Sequence, residues 1–136
     1  MTKDEAQTLL AEVFAPWVQA LNLSVEEING GKLTLKMKFD EQLCREGGIV
    51  CGQSMMAISD TAMVLAICSA SKGYRPMGTV DQTTHFMKPI SNKDVIAKAS
   101  VTRLGRTMAF AQTTIYAEGD ERPAGIATAA YALSPS

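Results

Sequence analysis

The sequence predicts an α+β domain in which one long apolar helix is set among antiparallel strands. Three observations carry this. The stretch GGIVCGQSMMAISDTAMVLAICSAS, residues 47–71, is apolar at helical spacing and contains one charged residue, Asp60. The run KLTLKMKF, Lys32–Phe39, alternates without error, with Leu33, Leu35, Met37 and Phe39 on one face. Beyond Pro76 the chain reads as strand segments joined by short polar turns.

Taken in order, Thr2-Lys3-Asp4-Glu5 has capping-box spacing. Leu9, Leu10, Val13, Phe14, Trp17, Val18 and Leu21 then recur at helical intervals, so residues 1–21 form an N-terminal helical segment. Pro16 kinks or restarts it, because proline fits a first turn and not an interior. A short strand over Val25–Ile28 leads through the tight turn Asn29-Gly30-Gly31 into Lys32–Phe39. Residues 40–52 read as a loop rich in glycine (Gly47, Gly48, Gly52), and the apolar helix runs from there to about Ser71, where Tyr74-Arg75-Pro76 breaks it. Strands are expected over roughly Gly78–Phe86, Val95–Leu104, Thr107–Ala117 and Pro123–Leu133, with Gly105-Arg106 as the tightest turn and Ser134-Pro135-Ser136 as a tail. The whole chain, 1–136, is thus one domain with its core in 22–133, in the order α-β-β-α-β-β-β-β. A helix as apolar as the central one needs burial on nearly all sides. One sheet would cover one side only, so a second copy of the chain, a dimer or a dimer of dimers, is the expected partner.

Composition narrows the function. At 136 residues, with 46% hydrophobic and 20% charged residues, the chain falls among ordinary globular domains. A net charge of −1, with no basic run, argues against a nucleic-acid partner. The start, MTKDEAQ, is acidic and lacks the apolar region of a signal peptide. The longest apolar stretch, about Ser54–Ala70, is shorter than the roughly 20 residues of a membrane span and carries Asp60, so no membrane is expected. Cys44, Cys51 and Cys68 are odd in number and at no metal spacing, and His85 is the only histidine, so no metal site is expected. Free thiols suit a reducing, cytoplasmic setting; Cys68 reads as a small buried hydrophobe.

The order of elements and three segments resemble a hotdog-fold thioesterase of the PaaI-like acyl-coenzyme A group. The segments are Cys51-Gly52-Gln53 with Ser59-Asp60-Thr61-Ala62, then Gly78-Thr79-Val80-Asp81 leading to Phe86-Met87-Lys88-Pro89, and finally Leu104-Gly105-Arg106. Their order and spacing agree from about residue 20 to 133. The resemblance implies an antiparallel sheet wrapped around a central helix and thioester hydrolysis of an acyl-coenzyme A. Coenzyme A would be part of the substrate, and no other cofactor is implied. In that family the helix usually opens with His-Gly-Gly and the catalytic carboxylate lies nine residues after the histidine. Here the same offset joins Cys51 to Asp60, and Gln53 replaces the second glycine. Arg45 falls where an asparagine is common, and Thr79 falls where a serine or threonine helps to place water.

The residues themselves bear on that chemistry. The neighbours of Asp60 at three and four positions are Met56, Ala57, Met63 and Val64, all apolar, so its charge is either satisfied locally as a structural acid or does chemistry. Gly52 opens the helix, and its N–H or that of Gln53 is an unpaired first-turn donor suited to an oxyanion. Eight residues separate Gly52 from Asp60, about 12 Å along a helix rising 1.5 Å per residue, too far to serve one carbonyl. An antiparallel two-fold partner removes the difficulty by bringing its Asp60 beside the first chain's Gly52. Two equivalent sites per dimer and an inactive monomer follow. Asp60 would act as general base on water or attack directly to give a mixed anhydride, with Thr79 of its own subunit holding the water.

Cys51 could be a nucleophile activated by the helix end, or a packing residue in the usual histidine position. His85 alternates with Thr79, Asp81 and Thr83 on a strand and could flank the site or lie at the surface or an interface. Arg45, Arg75, Lys88, Arg103 and Arg106 could hold the phosphates of coenzyme A or simply be solvated. Met55, Met56, Met63 and Met108 suit a core or an acyl pocket. Two other readings stay open: a non-catalytic acyl-thioester-binding protein, and an enoyl-coenzyme A hydratase or dehydratase, which would want a histidine beside the acid.

Overall fold

In the computed structural model, residues 1–71 and 73–135 are described; Ser136 of the expected tail lies outside them. Helix α1 (Lys3–Glu12) begins with the anticipated capping box. Glu5 N–H donates to Thr2 Oγ1 at 3.1 Å and Thr2 N–H donates to Glu5 Oε1 at 2.9 Å, so two first-turn donors are satisfied reciprocally. Pro16 restarts the helix rather than kinking it, standing at the first position of α2 (Pro16–Gln19).

Strands β1 (Leu23–Asn29) and β2 (Lys32–Met37) pair antiparallel across Gly30 and Gly31, whose φ values of +34° and +87° suit the turn that right-twisted hairpin strands require. Strand β2 stops at Met37, two residues short of the expected end, because the Phe39 N–H is taken by Asp94 Oδ1 at 2.7 Å instead of by the ladder.

Residues 40–52 hold more structure than a loop. Asp40 caps a 3₁₀ turn, Glu41–Leu43, and the strands β3 (Cys44–Arg45) and β4 (Ile49–Val50) form a small hairpin over Glu46–Gly48. Helix α3 spans Gly52–Ala70, followed by β5 (Met77–Phe86), β6 (Val95–Leu104), β7 (Met108–Ala117) and β8 (Gly125–Leu133). The last strand begins after Pro123, which has no N–H to give a ladder.

The main sheet is antiparallel in the order β1-β2-β6-β7-β8-β5, and α3 touches all six strands, most closely β6, β2 and β7. Side-chain volume explains how a helix fits there. Alanine is the commonest inward residue of β6 to β8 (Ala97, Ala99, Ala109, Ala111, Ala127 and Ala129 among them), so the helix backbone approaches closely. Ile58, Met63, Leu65 and Ile67 of α3, all fully buried, supply the volume. Tyr131 is the large exception on the inward face of β8.

With 19 residues and a mean hydropathy of 1.2, α3 is long and apolar enough to cross a membrane, yet 67% of that window is buried within the fold. The sheet wraps further around the helix than one side. What stays open is a single stripe made of Gln53, Met56, Ala57, Asp60 and Val64.

Candidate active site

Asp60 lies on that stripe. Of its four helical neighbours only Met63 is fully buried; Met56 is exposed, and Ala57 and Val64 are half-buried. The acid therefore shares its face with the uncovered part of the helix rather than with the core. Its Oδ1 accepts two hydrogen bonds. Tyr131 O–H donates at 2.7 Å from the floor of the sheet, and Thr79 O–H donates at 3.2 Å from β5. Tyr131 O–H also lies 3.4 Å from the Asp60 carbonyl oxygen. Oδ2 has no partner among the described residues. Two donors thus hold one oxygen of the carboxylate, and none among the described residues holds the other. Burial, reinforced by the adjacent carboxylate, pushes the Tyr131 phenol far above its ordinary range, so it remains a donor.

A bulge in β5 makes this geometry possible. Thr79 pairs with Tyr131 and Asp81 with Ala130, which leaves Val80 as an extra residue. Alternation therefore changes phase at Val80. Thr79 points at α3, Gln82 donates to the Met56 carbonyl at 3.3 Å, and Asp81, Thr83 and His85 turn to the other face. The expectation that Thr79 and His85 share a face is thereby corrected. His85 pairs with the outward Ile126 and is exposed, away from the acid.

At the other end, α3 starts without a side-chain cap. The N–H groups of Gly52, Gln53 and Ser54 have no protein acceptor among the described residues. Gly52 lines a 440 Å³ cleft shared with Arg45, Met55, Phe86 and Lys88. A Cβ at position 52 would come within 3.2 Å of the Phe86 ring, so glycine keeps both the cleft and the donors accessible.

Cys51 is half-buried just before the first turn of α3. Its N–H donates to the Leu43 carbonyl at 2.9 Å, and its sulfur lies 3.3 Å from Ser54 Oγ, with no histidine facing it. Gln53 is exposed on the open stripe. Arg45 is exposed and forms no ion pair among the described residues, whereas Lys88 is paired with Asp120. Arg106 sits in the β6–β7 turn, and its carbonyl, not its guanidinium, ties it to the Asp60 side through Arg75 Nη2 at 2.9 Å.

The structure thus gathers Asp60 and Thr79 at one place, and Gly52, Gln53 and Arg45 at another. It leaves His85 and the side chain of Arg106 apart from both. Tyr131 is the site residue that the sequence reading missed. Its one signal was a polar aromatic at an inward position of a strand whose other inward residues are Gly125, Ala127, Ala129 and Leu133.

Known proteins resemble this chain in sequence and in fold. Residues 47–124 match the family model of the thioesterase superfamily, a span that holds Gly52, Asp60 and Thr79. An inferred esterase of Thermoplasma acidophilum is 30% identical over 74% of this chain and 77% of its own length. Another, from Halobacterium salinarum, is 32% identical over 74% of this chain and 69% of its own length. The crystal structure of an inferred thioesterase from Silicibacter sp. TM1040 superposes with a TM-score of 0.89 at 28% identity, covering 99% of this chain and 93% of that one. Six antiparallel strands around one long apolar helix, matched in sequence and in shape, make this chain a hotdog-fold member of the thioesterase superfamily.

Proposed function

We propose that the protein is an acyl-coenzyme A thioesterase of the PaaI-like group, with Asp60 as general base or nucleophile and two sites per homodimer. The observation that carries this reading is the carboxylate itself: half-buried, fixed through Oδ1 by Tyr131 and Thr79, and free at Oδ2. The carbonyl polariser is the first turn of α3, which Asp60 of the same chain cannot reach across about 12 Å.

Two features favour a partner that closes this gap. Strand β5 is the edge of the sheet, bonded on one side only to β8, with Val80 58% and Phe86 48% exposed. Phe86 lies against Gly52, and Thr79 bonds Asp60. Antiparallel pairing of β5 with its two-fold mate, centred on Thr83 and with Val80 bulged out, sets Phe86 of one chain opposite Thr79 of the other. Each Gly52 then faces an Asp60 across the interface. Arg45, beside the Gly52 cleft, is the cation best placed for the phosphates of coenzyme A, which is part of the substrate. Three free cysteines agree with a cytoplasmic setting.

The replacement of the family's usual histidine and asparagine by Cys51 and Arg45 favours one second reading, a non-catalytic acyl-thioester binder. The outward orientation of His85 speaks against a hydratase. The experiment is thiol release from short, medium, long and aromatic acyl-coenzyme A substrates by wild type and Asp60→Asn, with the oligomeric state measured by sedimentation. Hydrolysis lost by a factor of about 10²–10⁴ in an intact Asp60→Asn oligomer is the expected result. Tight binding with no turnover in wild type would replace the hydrolase by the binder. Hydration of an enoyl substrate without thiol release would replace it by the hydratase.

A further inference from the structure

We propose that the N-terminal helical segment is the far wall of an acyl pocket and sets the length of acyl group that the site takes; the inference rests on the thioester reading above. A cleft of 290 Å³ opens beside Asp60 and Thr79. One wall belongs to α3 beyond the acid, at Val64 and Leu65. The other is made by Leu9, Val13 and Phe14, from the end of α1 and the link to α2. Both walls are apolar. Arg75 also borders the cleft, but its Nε and Nη2 are spent on the carbonyls of Ser134 and Arg106 at 2.9–3.2 Å. An apolar group is therefore the occupant the lining selects, and the carboxylate at the mouth places that group next to the reacting carbonyl.

The wall is held in place rather than loosely draped. Gln7 bridges α1 to the outer edge of β1, donating to the Leu23 carbonyl at 3.0 Å and accepting from Val25 N–H at 2.9 Å. Ala6 and Leu10 are buried beneath the helix. Lys3 reaches the carbonyl of Glu26, where the β1–β2 register slips, and Gln19 donates to the Phe14 carbonyl at 2.6 Å. A fixed wall imposes a size limit. At about the 30 Å³ that a water takes in the liquid, 290 Å³ accommodates on the order of ten non-hydrogen atoms, a medium-length acyl chain. The residues matched by the family model, 47–124, include Asp60 and Thr79 but none of Leu9, Val13 and Phe14. Selection by length is thus built on a separate part of the chain from the chemistry.

The test is kcat/KM against acyl length, from about four to sixteen carbons, for wild type, Phe14→Ala and Val13→Trp. It is run alongside calorimetric titration of the same acyl-coenzyme A series into Asp60→Asn and into that variant combined with each wall substitution. Each methylene that enters the cleft should raise kcat/KM by about fourfold up to roughly ten carbons, then no further. Phe14→Ala should move the optimum to longer chains by about two to four carbons, and Val13→Trp should move it to shorter ones. Val13 is 42% exposed, so its replacement is tolerated by the fold even if Phe14→Ala is not. Hydrolysis with the same optimum in all three proteins overturns the wall and leaves the thioesterase standing. Absence of hydrolysis with a length-dependent affinity that follows the substitutions keeps the wall and removes the hydrolase. An affinity indifferent to length, or no binding at all, overturns the wall.

Discussion

Tyr131→Phe removes one oxygen atom and keeps the ring that fills the floor beneath α3. The lost hydroxyl donates to Asp60 Oδ1 at 2.7 Å, and Thr79 remains as the other donor at 3.2 Å. A hydrogen bond to a charged acceptor contributes about 1.5–3 kcal/mol. Asp60 is half-buried, so water replaces part of it, and the net loss should be about 1–2 kcal/mol, or a Tm lower by about 4–8 °C for a chain of this size.

Catalysis should suffer differently from stability. Tyr131 is fully buried and touches the carboxylate rather than substrate, so KM should hold while kcat falls about 10- to 100-fold as Oδ1 loses its principal anchor. The alkaline limb of stability gives an independent readout. Below about pH 10 the raised phenol contributes fully; above it the unfolded chain ionises its tyrosine while the folded one holds the proton, so stability falls as pH rises. Tyr131→Phe should flatten that fall in thermal melts followed by circular dichroism. A wild-type kcat, together with alkaline melts parallel to those of wild type, would refute the clamp.

At the acid end, Lys88 and the Arg122 N–H hold Asp120 at about 2, below the ordinary carboxylate range. Its contribution is present above about pH 4 and is lost as pH falls through 2, so Asp120→Asn should lose Tm less steeply than wild type over that interval. Parallel slopes would show that the pair does not couple to folding. Gly31→Ala puts a Cβ at φ +87° in the β1–β2 turn, where the backbone alone should cost about 1–2 kcal/mol, read as a lower urea midpoint at unchanged slope.

Most elements were legible because their periodicity is local. The alternation of Lys32–Phe39 specifies a strand and its buried face, and the apolar run after Gly52 specifies a helix, without outside information. The Thr2–Glu5 box and Pro16 mark helix starts through the same local chemistry. The hairpin of β3 and β4 was not legible, since two residues per strand show no period; it is fixed from outside, by Val50 N–H on the Ile90 carbonyl and Asn92 N–H on that of Gly48.

The site divides in the same way. Asp60, Gly52 and Thr79 stood out as a carboxylate, a helix start and a hydroxyl at suggestive places. The roles proposed for them rest on a relation between two chains. The bulge at Val80 inverts the face of every later residue in β5, which is why His85 was placed with Thr79 and lies opposite. Tyr131 escaped notice because its partner is 71 positions away in sequence, and nothing in strand β8 alone says what lies above it.

In the proposed dimer the acid of one subunit works with the helix start of another. Subunit complementation measures this directly. Asp60→Asn and Gly52→Val proteins, each expected to be inactive as homodimers, are mixed, dissociated and reassociated, and acyl-coenzyme A hydrolysis is followed. Random pairing makes half of the dimers mixed, each with one intact site and one doubly altered site, so about a quarter of wild-type activity should return. Activity that stays at the level of the two parents after exchange of subunits is verified by mass would contradict a site shared between chains.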